Sequence, residues 1–279
     1  MKKIILFITI FLCVLSINSH NKVQATNLKF SDNTKMKHLF YPKNPGTLQG
    51  IAAGDRGEIY LSYSTDNKKY GYIYHYTKKG KLIKKSGKLT IGRGQAITYS
   101  KGNLYVTAEI NGDKNYYTYI LDKNLKVVKK WKLVSLIHPT ASSMKNNLEM
   151  YAISKNTSGK YENEYHINTV SFEEDKDELP EYRNTAALYM DQRIRVPFNN
   201  LKNETLQGLS VYNNKFYILT NYKYLEVTAS SDGRSNGKVK STKIVKLNTD
   251  RTSAGMSFYK NGRMIMALNG KDEIFITKK

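Results

Sequence analysis

Cysteine occurs once, as Cys13, so the chain cannot close an internal disulfide. Once a leader containing that residue is removed, no thiol remains for nucleophilic or redox chemistry, and stability has to come from packing. Histidine is also sparse. Apart from His20 near the N-terminus, the four histidines His38, His75, His138 and His166 are too scattered for a sequence-local zinc set. Gly92-Arg93-Gly94 is short and leads into an apolar-alternating stretch, not into a helix, so it is no phosphate loop. No metal and no cofactor is expected on these grounds.

Long apolar runs are missing as well. The only candidate, Ile4 to Ile17, is shorter than the roughly 18 to 20 residues that span a bilayer as a helix. With Lys2 and Lys3 before it and Val23-Gln24-Ala25 after it, residues 1–25 have the layout of a secretory signal cleaved after Ala25. Cys13 follows the bulky Leu12 inside the apolar run, which argues against lipid attachment. The expectation is a secreted, extracellular domain spanning residues 26–279.

Acidic residues are few, 23 against 45 Lys plus Arg, and the formal net charge is +22. For a secreted protein this field points to an anionic cell-envelope polymer or surface glycan, with an anionic membrane surface as a further candidate. Nucleic acid is not the expected partner. The competing reading is that lysines such as Lys78, Lys79, Lys81, Lys84 and Lys85 are simply solvated on turns and outward strand positions.

What is abundant is tyrosine, 22 residues, set in short runs that alternate Tyr, Ile, Val, Leu and Thr between Asn, Gly, Asp and Lys turns. Glu58–Tyr63, Tyr72–Tyr76, Asn103–Ala108, Tyr116–Ile120 and Lys215–Thr220 read as strands. Tyr70, Tyr72, Tyr74 and Tyr76 fall on one face of one strand and suit a cross-strand ladder, part of which could face solvent and stack on sugars.

These strands come in repeats. Leu48-Gln49-Gly50-Ile51-Ala52 recurs as Leu206-Gln207-Gly208-Leu209-Ser210, and Gly94-Gln95-Ala96-Ile97-Thr98-Tyr99 lies between them. Weaker copies begin at Thr140 and Ala254. The markers Gln49, Gln95, Thr140, Gln207 and Ala254 are about 45 residues apart, except for one interval about 20 longer, and this period fits a four-stranded propeller blade. An all-β fold follows, a five-bladed β-propeller, with a surface insertion around 154–201 that holds the acidic stretch Glu173–Glu178 as well as Pro180 and Pro197. The last repeat has room for about three strands, so Leu28–Tyr41 is expected to supply its outer strand and close the ring. An open β-sandwich is the competing architecture.

No strong catalytic motif is present, and the residues by themselves suggest a binding protein, not an enzyme. Arg93 with Gln49, Gln95 and Gln207 lies at the starts of innermost strands, where equivalent positions converge on the central channel. A ring of amides beside an arginine could hydrogen-bond a sugar or a phosphate; equally, the glutamines could close turns between blades on neighbouring backbone. Trp131, within Lys129-Lys130-Trp131-Lys132, could insert into an anionic interface or cap a strand in the core. A glycosidase would need two facing carboxyl groups, for which Asp55, Glu109, Asp122, Glu149 and Glu204 are candidates.

The export signal, the Leu-Gln-Gly-apolar starts at Leu48 and Leu206, and the segment Ile91-Gly92-Arg93-Gly94-Gln95-Ala96-Ile97-Thr98-Tyr99 resemble the helveticin J type of class III bacteriocins of Gram-positive bacteria. The resemblance implies a secreted, non-enzymatic antibacterial protein that binds the Gram-positive cell envelope. It brings no catalytic residues with it. The alternatives are an adhesin or glycan-binding propeller without killing activity, and a glycan-cleaving enzyme.

Overall fold

The computed structural model describes residues 27–43, 45–110, 116–134, 140–145, 149–155, 164–172, 185–196, 201, 204–230 and 238–278. The expected leader, His138, the acidic stretch Glu173–Glu178, Pro180 and Pro197 lie outside them.

The chain opens with β1 (Leu28–Lys29) and β2 (Lys35–Phe40), then forms blade one from β3 (Thr47–Ala53), β4 (Ile59–Ser64), β5 (Gly71–Tyr76) and β6 (Leu82–Lys85). Blade two is β7 (Ala96–Ser100), β8 (Asn103–Thr107), β9 (Tyr116–Leu121) and β10 (Val127–Val134). Blade three is β11 (Ala141–Met144), β12 (Glu149–Lys155), β13 (Tyr165–Ser171) and β14 (Thr185–Val196). Blade four is β15 (Leu206–Tyr212), β16 (Lys215–Thr220), β17 (Lys223–Ser230) and β18 (Lys238–Lys246). Blade five consists of β19 (Ser253–Phe258), β20 (Met264–Leu268) and β21 (Glu273–Thr277), and β2 pairs antiparallel to β21 as its outer strand. The N-terminal segment therefore closes a five-bladed all-β propeller, as the missing strand of the last repeat requires, and β1 pairs onto β2.

The five inner strands, β3, β7, β11, β15 and β19, begin at or close to the five repeat markers. The long interval around 154–201 carries β13 and β14, the two outer strands of blade three. Blades two and three are joined at their rims: β10 pairs with β14 in parallel through Lys132–Val134 and Thr185–Ala187, giving one eight-stranded sheet.

Each blade packs between two others, so both faces of its middle strands are buried. β4 shows this best, since every residue from Ile59 to Ser64 is buried. Five apolar clusters fill the five seams. Tyr105, Trp131, Met150 and Phe172 lie between blades two and three; Leu61, Tyr63, Ile265 and Ile274 lie between blades one and five. Each large side chain so buried is worth about 1.5 to 3 kcal/mol relative to exposure, and these seams do the work that disulfides do elsewhere. The outermost strands turn polar, as in β6, where Lys84 and Lys85 are exposed. Lysine on a free edge opposes strand addition from another chain.

At the axis the inner strands come close. A Cβ on Gly50 would lie 2.6 Å from the Gln95 carbonyl oxygen, so the approach of β3 to the start of β7 needs a residue without a side chain. Hydroxyls three residues after the markers then tie neighbouring inner strands together. Thr98 Oγ1 accepts from Met144 N (3.3 Å), Ser143 Oγ from Val211 N (3.2 Å) and Ser257 Oγ from Ala53 N (3.1 Å), while Ser210 Oγ donates to the Met256 carbonyl (2.7 Å). In blade one the equivalent residue is Ala52, and the contact to blade two is instead the stack of Tyr60 on Tyr99, with ring centroids 5.5 Å apart.

Candidate functional site

The markers lead to the end of the ring at which the inner strands begin. The three glutamines do not form a ring of free amides there. Gln49 and Gln207 each sit in a β-bulge of the inner strand, one between Leu48 and Gly50 and the other between Leu206 and Gly208. From these matching positions Gln49 Nε2 donates to Ser64 Oγ (3.2 Å) and Gln207 Nε2 to Asn221 Oδ1 (2.6 Å). Ser64 ends the facing strand and Asn221 follows it directly, so both amides fasten blade starts. Gln95 reaches further. Its Nε2 donates to the Leu206 carbonyl (2.7 Å), linking the start of blade two to the start of blade four, and the residue is 7% exposed. These amides are used in holding the ring together. Trp131 is buried against Phe172, with Lys129 over its ring, so its indole faces no interface.

Arg93 does sit in a built arrangement. Gly92 has a φ of +58°, and a Cβ on it would fall 1.9 Å from the Glu109 carbonyl oxygen. The bend lets the backbone pair closely: Arg93 N donates to Glu109 O (3.0 Å) and Glu109 N to Ile91 O (3.1 Å). The Arg93 guanidinium then lies 3.5 Å from Glu109 Oε1. Glu109 Oε2 is buried without a hydrogen-bond donor among the described residues. Burial pushes the Glu109 carboxyl above the usual carboxylate range, with Arg93 and Lys68 opposing. Beside this pair the Tyr70 ring carries Lys88 at 3.9 Å and Lys69 at 5.6 Å from its centroid.

The same end holds further carboxylates. Glu204, just before β15, pairs with Lys223 (3.1 Å), and its buried Oε2 has no donor among the described residues. Arg251, before β19, bonds Glu273 Oε2 (2.6 Å) and the Asn269 carbonyl (3.1 Å), while its buried Nη2 has no partner among the described residues. Asp272 alongside has a φ of +35° and an Oδ2 likewise without a partner among them, and burial raises its pKa to about 6 against the pull of Arg251. Two large aromatic side chains are widely exposed at this end, Tyr41 (47%) in the connection into β3 and Tyr222 (44%) in the turn after β16. Carboxylates, guanidinium groups and open tyrosine faces are the groups that recognise sugar hydroxyls and ring faces.

Of the acids singled out in the sequence, Glu109 and Glu204 belong to this end. Asp55 pairs with Lys260 (2.8 Å) at the opposite end, Glu149 pairs with Lys145 (3.1 Å), and Asp122 accepts from Asn124 N and Lys126 N in its own turn. Asp272, Arg251, Tyr41 and Tyr222 gave no signal in the sequence. Their roles depend on which turns the ring gathers at one end.

No family model matches the chain, and no curated protein matches it either. Among solved structures the chain is similar to a glucose dehydrogenase of Thermus thermophilus, at 7% identity and a TM-score of 0.51, covering 88% of this chain and 100% of that one. It is also similar to a soluble aldose sugar dehydrogenase of Escherichia coli (8% identity, TM-score 0.45, 87% and 98% covered). A PQQ-bound aldose sugar dehydrogenase of Streptomyces coelicolor gives 8% identity and a TM-score of 0.49, with 90% and 98% covered. At these identities the likeness defines a class by fold, the β-propellers.

These findings correct the bacteriocin resemblance and the non-enzymatic, antibacterial role that came with it: no family model matches, and the propeller matched at a TM-score of 0.51 is named as a glucose dehydrogenase. The physical reason is in the motifs. Leu-Gln-Gly is a bulged blade start fastened by its amide, and Gly92-Arg93-Gly94-Gln95 is a close backbone crossing. Both answer to the packing of inner strands, a demand common to propellers of unrelated activity.

Proposed function

We propose that this protein is a carbohydrate-binding propeller that takes a glycan at the end where its inner strands begin. The observation that carries the reading is the Arg93–Glu109 pair, held by the Gly92 crossing at that end, together with the exposed Tyr41 and Tyr222. Arg93 donates to hydroxyl or carboxylate oxygens, Glu109 Oε1 accepts from hydroxyls, and tyrosine faces stack on the apolar face of a sugar ring. The surplus of Lys68, Lys69 and Lys88 beside the pair favours a glycan that carries acidic groups. Export directed by residues 1–25 would bring the site to anionic glycans outside the cell.

A second reading, proton transfer to the bound glycan, rests on Glu109 itself. A carboxyl with one buried, undonated oxygen and a raised pKa holds its proton to higher pH and suits general acid catalysis. Glu204, with its own undonated oxygen, is a further carboxyl at this end. The fold likeness to a protein named as a glucose dehydrogenase also directs attention to sugars.

No group of three His, Cys, Asp or Glu side chains that could hold a metal ion gathers among the described residues. His38 packs on Tyr41 and Phe275, His75 stacks on Tyr60, and His166 is buried beside Glu164.

Titration of wild-type protein and Arg93→Ala with neutral and acidic oligosaccharides tests the binding reading. Measurement of reducing ends released over hours, for wild type and Glu109→Gln, tests the second. Binding that Arg93→Ala leaves unchanged rejects the site.

A further inference from the structure

At the opposite end of the ring, a cleft of about 360 Å³ opens at the seam where blade five meets blade one. Three turns line it: Asp55-Arg56-Gly57 between β3 and β4, Lys78 between β5 and β6, and Tyr259 to Arg263 between β19 and β20. The turns are clamped to one another. Tyr259 Oη donates to the Gly57 carbonyl (3.0 Å), and Lys260 Nζ lies 2.8 Å from Asp55 Oδ1. Arg263 is held from behind by the Thr277 carbonyl, which accepts from both Nε (3.2 Å) and Nη2 (2.7 Å). Its guanidinium is thus fixed at the wall of the cleft and not free in solvent.

We infer that this cleft is a binding site for a phosphomonoester group. Four cations, Arg56, Lys78, Lys260 and Arg263, line it, and the nearby carboxylates are Asp55, in the lining, and Glu58, whose Oε2 accepts from Arg56 N (2.8 Å). One doubly charged phosphate cancels that surplus, whereas a phosphodiester or a simple carboxylate cancels half of it. Arginine and lysine donors from three separate turns converge on one volume, which suits a tetrahedral group with oxygens in several directions.

Placement adds a consequence. The cleft spans the seam that the N-terminal strand closes, since β21 and β2 lie in the blade that supplies Tyr259 and Arg263. A ligand that bridges this seam binds the closed ring only, and so stabilises it by mass action.

The test uses residues 26–279 with inorganic phosphate and glycerol 3-phosphate as probes, ionic strength being matched with sodium chloride. Calorimetric titration should give saturable binding, and thermal unfolding should shift upward with either probe and not with chloride. Arg56→Glu/Lys260→Glu, which alters two exposed side chains, should weaken binding at least tenfold and abolish the shift. Lys85→Glu on the outer strand β6 carries the same kind of charge change away from the cleft and should leave both intact. Equal weakening by both variants would overturn the site in favour of a diffuse positive field, as would an equal affinity for dimethyl phosphate, whose single charge the cleft should bind more weakly. Arg93→Ala should not alter phosphate affinity, so failure of the glycan site and failure of this one are separate results.

Discussion

Replacing Gly92 with alanine should damage the protein far more than replacing Gly94, although the two glycines flank the same arginine and have nearly the same φ, +58° and +55°. The left-handed backbone costs an L-residue about 1 to 2 kcal/mol at either position. The difference lies in what the new methyl meets. At Gly92 it would fall 1.9 Å from the Glu109 carbonyl oxygen, so the two segments must part by about 1.6 Å to reach ordinary contact at about 3.5 Å. That movement breaks the Arg93 N to Glu109 O and Glu109 N to Ile91 O bonds, each worth about 0.5 to 1.5 kcal/mol. At Gly94 the nearest atom is the end of the Ile91 side chain, 3.0 Å away, which can rotate aside. The expected loss is therefore on the order of 3 to 4 kcal/mol for Gly92→Ala and about 1 to 2 for Gly94→Ala. Urea unfolding followed by tyrosine fluorescence reads the difference directly, as midpoints at constant m. Gly92→Ala should also lose glycan affinity at temperatures where it is still folded, because Arg93 and Glu109 no longer face each other. Equal stability losses in the two variants would refute the close crossing on which the site is built.

Other consequences follow from single contacts. Ser257→Ala removes the acceptor for Ala53 N between blades five and one and should cost about 1 to 2 kcal/mol in urea unfolding. Asp272 has its folded pKa raised from 3.8 to about 6, so the folded state holds the proton more tightly than the unfolded state. Its contribution to stability is therefore most favourable at low pH and is lost as pH rises from about 4 to about 6. Asp272→Asn, which tolerates the left-handed backbone, should remove that slope and stabilise the protein at pH 7 by about 1 to 2 kcal/mol, read from unfolding midpoints across pH. Glu109→Gln should leave stability at pH 7 within about 1 kcal/mol, since the attraction of the half-buried carboxylate to Arg93 is offset by the cost of burying its charge.

Much of the architecture was legible in the sequence because inner strands repeat their constraints. The bulge at Gln49 and at Gln207, the small residue after each and, in every blade but the first, the hydroxyl three positions after the marker are the same demands met in different blades, and they recur at blade length. The N-terminal closure was legible from a deficit, one blade lacking a strand. The surplus around 154–201 was harder to read. Its strands β13 and β14 belong to a blade, and their connections are simply longer. At the site, sequence singled out Arg93 and, among the acids, Glu109 and Glu204. It could not show that Gln49, Gln95 and Gln207 spend their amides on fastening blades, because the donors and the acceptors are separated by up to 111 residues. Trp131 looked like an interface residue because lysines flank it in the sequence, whereas the fold buries its ring against Phe172 of a different blade with the Lys129 ammonium over it. Asp272 and Arg251 meet only once turns of blade five are folded against each other, a contact with no local pattern.

The measurement that bears most directly on the glycan-binding reading is equilibrium titration of a panel of neutral and acidic oligosaccharides against wild type, Arg93→Ala and the outer-strand variant Lys85→Ala. Wild type should bind an acidic oligosaccharide saturably, Arg93→Ala at least tenfold more weakly, and Lys85→Ala as tightly as wild type. Equal affinity for all three proteins, or no binding of any oligosaccharide in the panel, would contradict that reading.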